Sequence, residues 1–274
     1  FAGYLTHRAN QLAHSARRFP GWGFRLAQAG LGFWPVSDEK IGFEYKASRF
    51  LEGCQMAPER AHVHWNGTFA DDQKQEFLRS RLPGALHTKL QELRALLPGD
   101  GLSPYLWFDQ KYYLPDDILT KTDRMSMAHS LEVRPPFLDH RIVEFAATLP
   151  PSLKIRGSRQ KFLLKEMMKG KLPPSVLSRK KVGFDIPAHE WLRGPLRSLL
   201  VDTVTAGASE HAGLFNPAAI AAIVQRHLAK RANLGYQLWG LLILFLWMRK
   251  WRIQTATAPS KVKDWVPEKT GTYI

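Results

Sequence analysis

The chain has 274 residues, 45% hydrophobic and 23% charged, which suits a globular protein of one large domain or two modest ones. Its single cysteine, Cys54, excludes an intrachain disulfide and every cysteine-cluster metal site, and fits a reducing, cytoplasmic setting. A formal net charge of +15 directs attention to polyanionic or phosphorylated ligands.

From the first residue, "FAGYLTHRANQLAH" starts at Phe1 and shows no charged-then-apolar leader pattern, so the chain is expected to begin within a longer one. Apolar residues at three- and four-residue spacing predict helices near 38–52, 71–80, 85–97, 116–129, 139–148, 159–169, 217–230 and 235–252. Pro, Gly and Ser separate them, as in "LPGDGLSP" and "KLPPS". Cys54 reads as a buried thiol. His62 and His64 in "HVH" have the spacing of a strand ligand pair, but no further ligands stand near them in the sequence. No alternating strand pattern emerges, and "LEVR" is at most a short extended piece. The apolar run Leu238–Met248 is shorter than the roughly 20 residues a bilayer needs and reads as a core helix, closed by the basic "RKWR". From Thr255 onward the chain is polar and expected to be loosely ordered, leaving a helical domain of about 250 residues.

Two stretches concentrate charge. In "DDILTKTDRMSMAHSLEVRPPFLDHR" (116–141), Pro115 suits a first helical turn, and Asp117, Lys121 and Arg124 fall on one helical face. A surface ladder of ion pairs would explain that face. The sequel argues otherwise, because Leu131, Val133, Phe137 and Leu138 are expected to pack inward, leaving Glu132 and Arg134 in need of partners. In "IRGSRQKFLLKEMM", Ser158 suits an N-cap and Lys161 then takes the third helical position. A cation there invites an anion, although an exposed lysine at a helix start also explains it. "SRKKVGFDIP" (178–187) is a third basic patch, and by itself reads as a solvated loop.

Taken together, these runs resemble the C-terminal synthetase region of the glutamine-hydrolysing asparagine synthetases. The matching stretches are "YYLPDDILTKTDRMSMAHSLEVRPPFLDHRIVEFAATLP" (112–150), "SRQKFLLKEMM" (158–168), "RKKVGFDIPAHEWLRGPLR" (179–197) and "LGYQLWGLLILFLWMRKW" (234–251). "FAGY" looks like the continuation of the family's nucleotide-loop motif S-G-x-G-G-D-E-x-F-x-G-Y. The resemblance implies a mostly helical fold: the C-terminal part of an α/β adenine-nucleotide α-hydrolase-like (ATP pyrophosphatase) synthetase domain over 1–253, with a tail over 254–274. It also implies that the glutaminase domain and the S-G-G-x-D-S pyrophosphate loop lie outside this sequence, so that the chain as given is expected to be inactive alone.

The implied reaction is activation of the aspartate side chain by ATP and Mg2+, giving a β-aspartyl-AMP that glutamine-derived ammonia attacks. By resemblance, Lys161 stabilises the departing pyrophosphate, Lys121 lines the same phosphate site and Arg124 follows it. Glu132 matches a glutamate that assists the attacking amine in related β-lactam-forming members, although pairing with Arg134 suits it better here. Asp123 and Asp139 are expected to orient Arg124 and Arg134 or to cap the helix near 139. Lys161 and Lys121 are then expected to face one concavity open toward Phe1. The implied setting is cytoplasmic, with small-molecule partners, no membrane and no nucleic acid, and it leaves a homodimer open. Two other readings stand beside this one: an amidotransferase of the same family acting on another carboxylate in polysaccharide, peptide or antibiotic synthesis, and a basic helical nucleic-acid-binding module.

Overall fold

The computed structural model describes residues 2–31, 42–79, 85–97, 101–179 and 186–255. The predicted start of the helix near 38, most of the "SRKKVGFDIP" patch and the tail from 256 lie outside these residues. The described residues fall into two compact units, one containing 2–31, 42–67, 85–97 and 101–179, the other 68–79 and 186–255.

The second unit is built from the helices Ala188–Arg193, Arg197–Glu210, Pro217–Leu228 and Gly235–Lys250, with the short Asp71–Phe77 against them. Leu192, Leu200, Val204, Ile220, Leu238, Leu242 and Phe245 form its core. The run Leu238–Met248 is a core helix as expected, with Arg249 and Lys250 in its last turn. Gly207 lets Arg197–Glu210 approach this helix closely. A Cβ there would stand 2.5 Å from Cγ and Cδ1 of Phe245. Arg193 ties down the loop after Pro217–Leu228, donating from Nε to the His227 carbonyl (2.9 Å) and from Nη2 to that of Ala232 (3.2 Å).

The first unit packs Leu5–Ala16, Gly21–Leu31, Phe43–Cys54 and Pro58–Asn66 around Ala13, Phe24 and Cys54. Cys54 is buried, as expected, and burial pushes its thiol up. A second small core joins Leu93 of Ala85–Leu96 to Tyr105 and Phe108. Pro58 starts its helix from the first turn, where its missing N–H is not needed.

Periodicity placed Pro115 at the start of a helix; the structure runs helical backbone straight through it. Ser103–Phe108 is α-helical, Asp109–Leu119 is a π-helix, and Thr120–Met127 is α-helical again. The wider i to i+5 turn spares the proline its clash with the carbonyl four residues back. It also lets the Thr120 amide bond the Pro115 carbonyl, which the Thr120 hydroxyl meets as well at 2.7 Å.

A second correction concerns Leu131, Val133, Phe137 and Leu138, none of which is buried: Leu131 is 60% and Phe137 54% exposed. The neighbouring helices Thr120–Met127 and His140–Thr148 bury no residue either, so the described residues of the unit leave this segment uncovered. A third correction concerns "IRGSRQK", where a two-residue hairpin pairs Ile155 with Gln160 and Arg156 with Arg159. Ser158 is therefore a turn residue, and Lys161 is itself the N-cap of Phe162–Met167. No helix among the described residues is long and apolar enough to cross a membrane.

Candidate active site

The 155–161 hairpin positions the leading candidate, Lys161. Gly157 takes the first of the two loop positions with φ 59°, a conformation glycine adopts freely. Lys161 leaves the second strand at φ 53°, ψ 40°, a left-handed conformation uncommon outside glycine. That turn swings the chain into Phe162–Met167, whose Lys165 amide donates to the Lys161 carbonyl at 3.0 Å. Holding a side-chain-bearing residue there costs about 1–3 kcal/mol, so its surroundings must enforce it.

Those surroundings are residues 2–4. Ala2 is buried with Leu102 and Ile155. The Gln160 side chain donates from Nε2 to the Tyr4 carbonyl at 2.6 Å. Between these two contacts Gly3 lies against the Lys161 side chain, so that a methyl group at position 3 would fall 2.5 Å from Lys161 Cε. The lysine is half-buried and, among the described residues, makes no ion pair. A half-buried cation without a counter-ion is suited to receive an anionic ligand.

The segment 2–4 is in turn anchored by a network that sequence reasoning missed. Asp109, at the first π-helical position, accepts from His62 Nε2 at 2.7 Å and from His7 Nε2 at 2.8 Å. Asn10 donates from Nδ2 to His62 Nδ1 at 2.8 Å, which assigns the remaining ring proton of a neutral His62 to Nε2. Burial alone would raise the Asp109 carboxyl, but the His62 and His7 bonds bring it below the ordinary carboxylate value. Tyr4 meets His7 and Tyr113 edge-on, each at 5.9 Å between ring centres. Burial, with Tyr4 and Asp117 nearby, pushes the Tyr113 phenol up to about 12. His62 lies on the helix Pro58–Asn66 rather than a strand, and His64 points instead to Glu52, with Nε2 3.1 Å from Oε2. No local pattern links His7, His62 and Asp109, which are spread over a hundred residues, so only the fold brings them together.

The other predicted residues lie along Thr120–Met127 and beyond. Lys121 and Arg124 are exposed, and among the described residues neither enters an ion pair. The surface ladder with Asp117, the alternative explanation of that face, therefore does not form; Asp117 instead helps to raise the Tyr113 phenol. Asp123 likewise makes no ion pair with Arg124. Glu132 does pair with Arg134, whose Nε and Nη2 both reach Oε1, at 2.6 and 2.5 Å. Asp139 caps His140–Thr148 at the Arg141 amide, as expected, and its ion pair is with Arg141 at 2.8 Å, not Arg134. A cavity of about 850 Å3 lies between Arg159, Lys165, Lys169, Lys171, Leu172 and the short helix Pro174–Ser178, and none of the four predicted site residues lines it. The structure thus sets Lys161 against residues 2–4 and leaves Lys121, Arg124 and Glu132 exposed. No group of three His, Cys, Asp or Glu side chains suited to a metal ion occurs among the described residues.

Comparison with known proteins follows the same residues. The chain is 30% identical over 141 residues to asparagine synthetase [glutamine-hydrolyzing] 1 of Bacillus subtilis, covering 52% of this chain and 22% of that protein. It is 37% identical over 136 residues to a putative asparagine synthetase [glutamine-hydrolyzing] of Mycobacterium tuberculosis, covering 49% and 21%. It is also 34% identical over 110 residues to amidase chry2 of Gibberella zeae, covering 38% and 16%. The matched part thus spans about a fifth of each of these relatives. No solved structure matches the chain significantly. The family model described as asparagine synthase takes in residues 1–250, from the segment that meets Lys161 to the end of the last core helix, and the chain belongs to the asparagine synthase family.

Proposed function

We propose that the protein carrying this chain is an ATP-dependent carbon–nitrogen ligase that converts aspartate to asparagine with glutamine-derived ammonia. The reaction would proceed through β-aspartyl-AMP with release of pyrophosphate. The observation that carries the reading is Lys161: a half-buried lysine without an ion-pair partner among the described residues, held at a strained turn, in a chain of this family. When the aspartate carboxylate attacks the α-phosphorus, negative charge develops on the departing pyrophosphate. The Lys161 ammonium would meet that charge, and its preset position means little reorganisation is needed as the charge forms. Lys121 and Arg124, exposed cations on one helix, would neutralise the outer phosphates of the nucleotide.

The described residues suit the phosphates of ATP better than they suit a magnesium cage. Mg2+ commonly keeps substrate phosphates among its ligands, and when bound it would screen their charge. Glu132 holds Arg134 through one carboxylate oxygen, which favours a positioning role over proton transfer from the amine.

A second reading, an amidotransferase of this family using another carboxylate, has one observation in its favour: relatives of this chain include proteins named amidases, chry2 and chyE. The test is a panel of carboxylates given to the intact protein with ATP, Mg2+ and ammonia, with AMP and pyrophosphate measured. Aspartate-dependent formation of AMP and asparagine supports the first reading. AMP formation with a different acid alone supports the second. ADP and phosphate as products contradict both.

A further inference from the structure

We propose that Gly3 is a positioning residue for Lys161. The inference rests on the reading of Lys161 as the pyrophosphate-stabilising group and adds a residue to that site. Three successive residues, 2–4, hold three parts of the hairpin. Ala2 packs on Ile155, the Tyr4 carbonyl accepts from the Gln160 side chain, and Gly3 faces the lysine stem.

The contacts at Gly3 run along the side chain. A methyl group at this position would stand 2.5 Å from Cε and 3.6 Å from Cδ and Cγ of Lys161. No other side chain and no backbone atom outside the immediate neighbours ranks among those nearest contacts, so the space a Cβ would need is taken by the outer part of this one lysine. Gly3 is also not among the residues with positive φ, so its backbone conformation is open to any L-residue. What the position requires is therefore only the absence of a side chain beneath the lysine.

A methyl at residue 3 can be accommodated by rotating the end of a flexible side chain, which leaves the fold almost untouched. The same rotation moves the ammonium, one bond beyond Cε, by an ångström or more. A misplacement of about 1 Å at a group acting on a transition state can cost about 10²-fold in rate. Gly3→Ala thus separates aim from stability, which a substitution of buried Ala2 or of Gln160 would not.

The experiment compares the intact protein with its Gly3→Ala and Lys161→Ala variants in aspartate-dependent pyrophosphate release, with thermal unfolding of each. Gly3→Ala is expected to lower kcat by about tenfold or more, with KM for ATP and aspartate changed less than about twofold and the unfolding temperature unchanged. Unchanged kcat overturns the inference. So does a fall in kcat accompanied by a matching loss of thermal stability, or a rise in KM alone. If Lys161→Ala itself releases pyrophosphate normally, the reading of Lys161 as the pyrophosphate-stabilising group fails first, and that outcome is read from the lysine variant independently of Gly3.

Discussion

Asp109 offers a demanding test of how the site's foundation is built. Its two oxygens accept from His62 and His7 in a buried setting, and Asn10 occupies the other nitrogen of His62. Asp109→Ala leaves two buried N–H groups without acceptors, each worth about 1–3 kcal/mol, so the loss should be about 4 kcal/mol. Asp109→Asn should cost less, because one amide oxygen still accepts from His62. The amide nitrogen can then donate to His7 if that ring shifts its proton to Nδ1, which is buried and unbonded in the present arrangement. The exchange replaces one orphan acceptor with one orphan donor, and a cost of about 1–2 kcal/mol is expected. Equilibrium urea unfolding of the intact protein, followed by tyrosine and tryptophan fluorescence, measures both. A loss below about 1 kcal/mol for the alanine variant, or equal losses for the two, would refute the network as drawn. The sign with pH follows from the depressed Asp109 carboxyl. Its contribution is complete above the ordinary carboxylate value of 3.8 and is lost only as pH falls through the lower folded-state value.

Two further outcomes concern the second unit. Gly207→Ala forces a methyl into the Phe245 ring, and overpacking of this kind should cost about 1–3 kcal/mol in thermal unfolding; an unchanged unfolding temperature would show that the two helices can move apart. Burial, with Arg193 nearby, brings the His227 imidazole down from 6.5 to about 4, so the unfolded chain takes up a proton first as pH falls. Stability should therefore be complete above pH 6.5 and decline toward pH 4, by about 3 kcal/mol in full. His227→Gln should flatten that slope, and an identical slope in the variant would assign the acid sensitivity elsewhere.

Much of the helical architecture was legible because amphipathic spacing reports burial directly, as in Pro217–Leu228 with Ile220, Ile223 and Val224 buried, while Leu238–Met248 was legible as a continuous apolar run. Periodicity missed Leu5–Ala16 and Pro58–Asn66, whose buried positions include His7, Asn10, Glu59, His62 and His64, polar residues that do not read as a core stripe. It misjudged Leu131–Leu138 for the opposite reason: apolar residues imply burial only if something covers them, and here Leu131, Val133 and Phe137 remain exposed. The Lys161 turn was misread because Ser158 satisfies an N-cap pattern just as well as it completes a hairpin loop after Gly157. Lys161 itself was singled out by resemblance, and Gly3 stood in the matching "FAGY" without a role, while Asp109 carried no signal in one dimension.

The most direct test of the account is aspartate-dependent pyrophosphate release by the intact protein carrying Lys161→Ala. Loss of one preorganised stabiliser of a departing phosphate should lower kcat by about 10²–10³-fold. Glutamine hydrolysis and thermal stability should remain close to those of the unaltered protein. Pyrophosphate release at the normal rate would remove Lys161 from the mechanism, and with it the central claim.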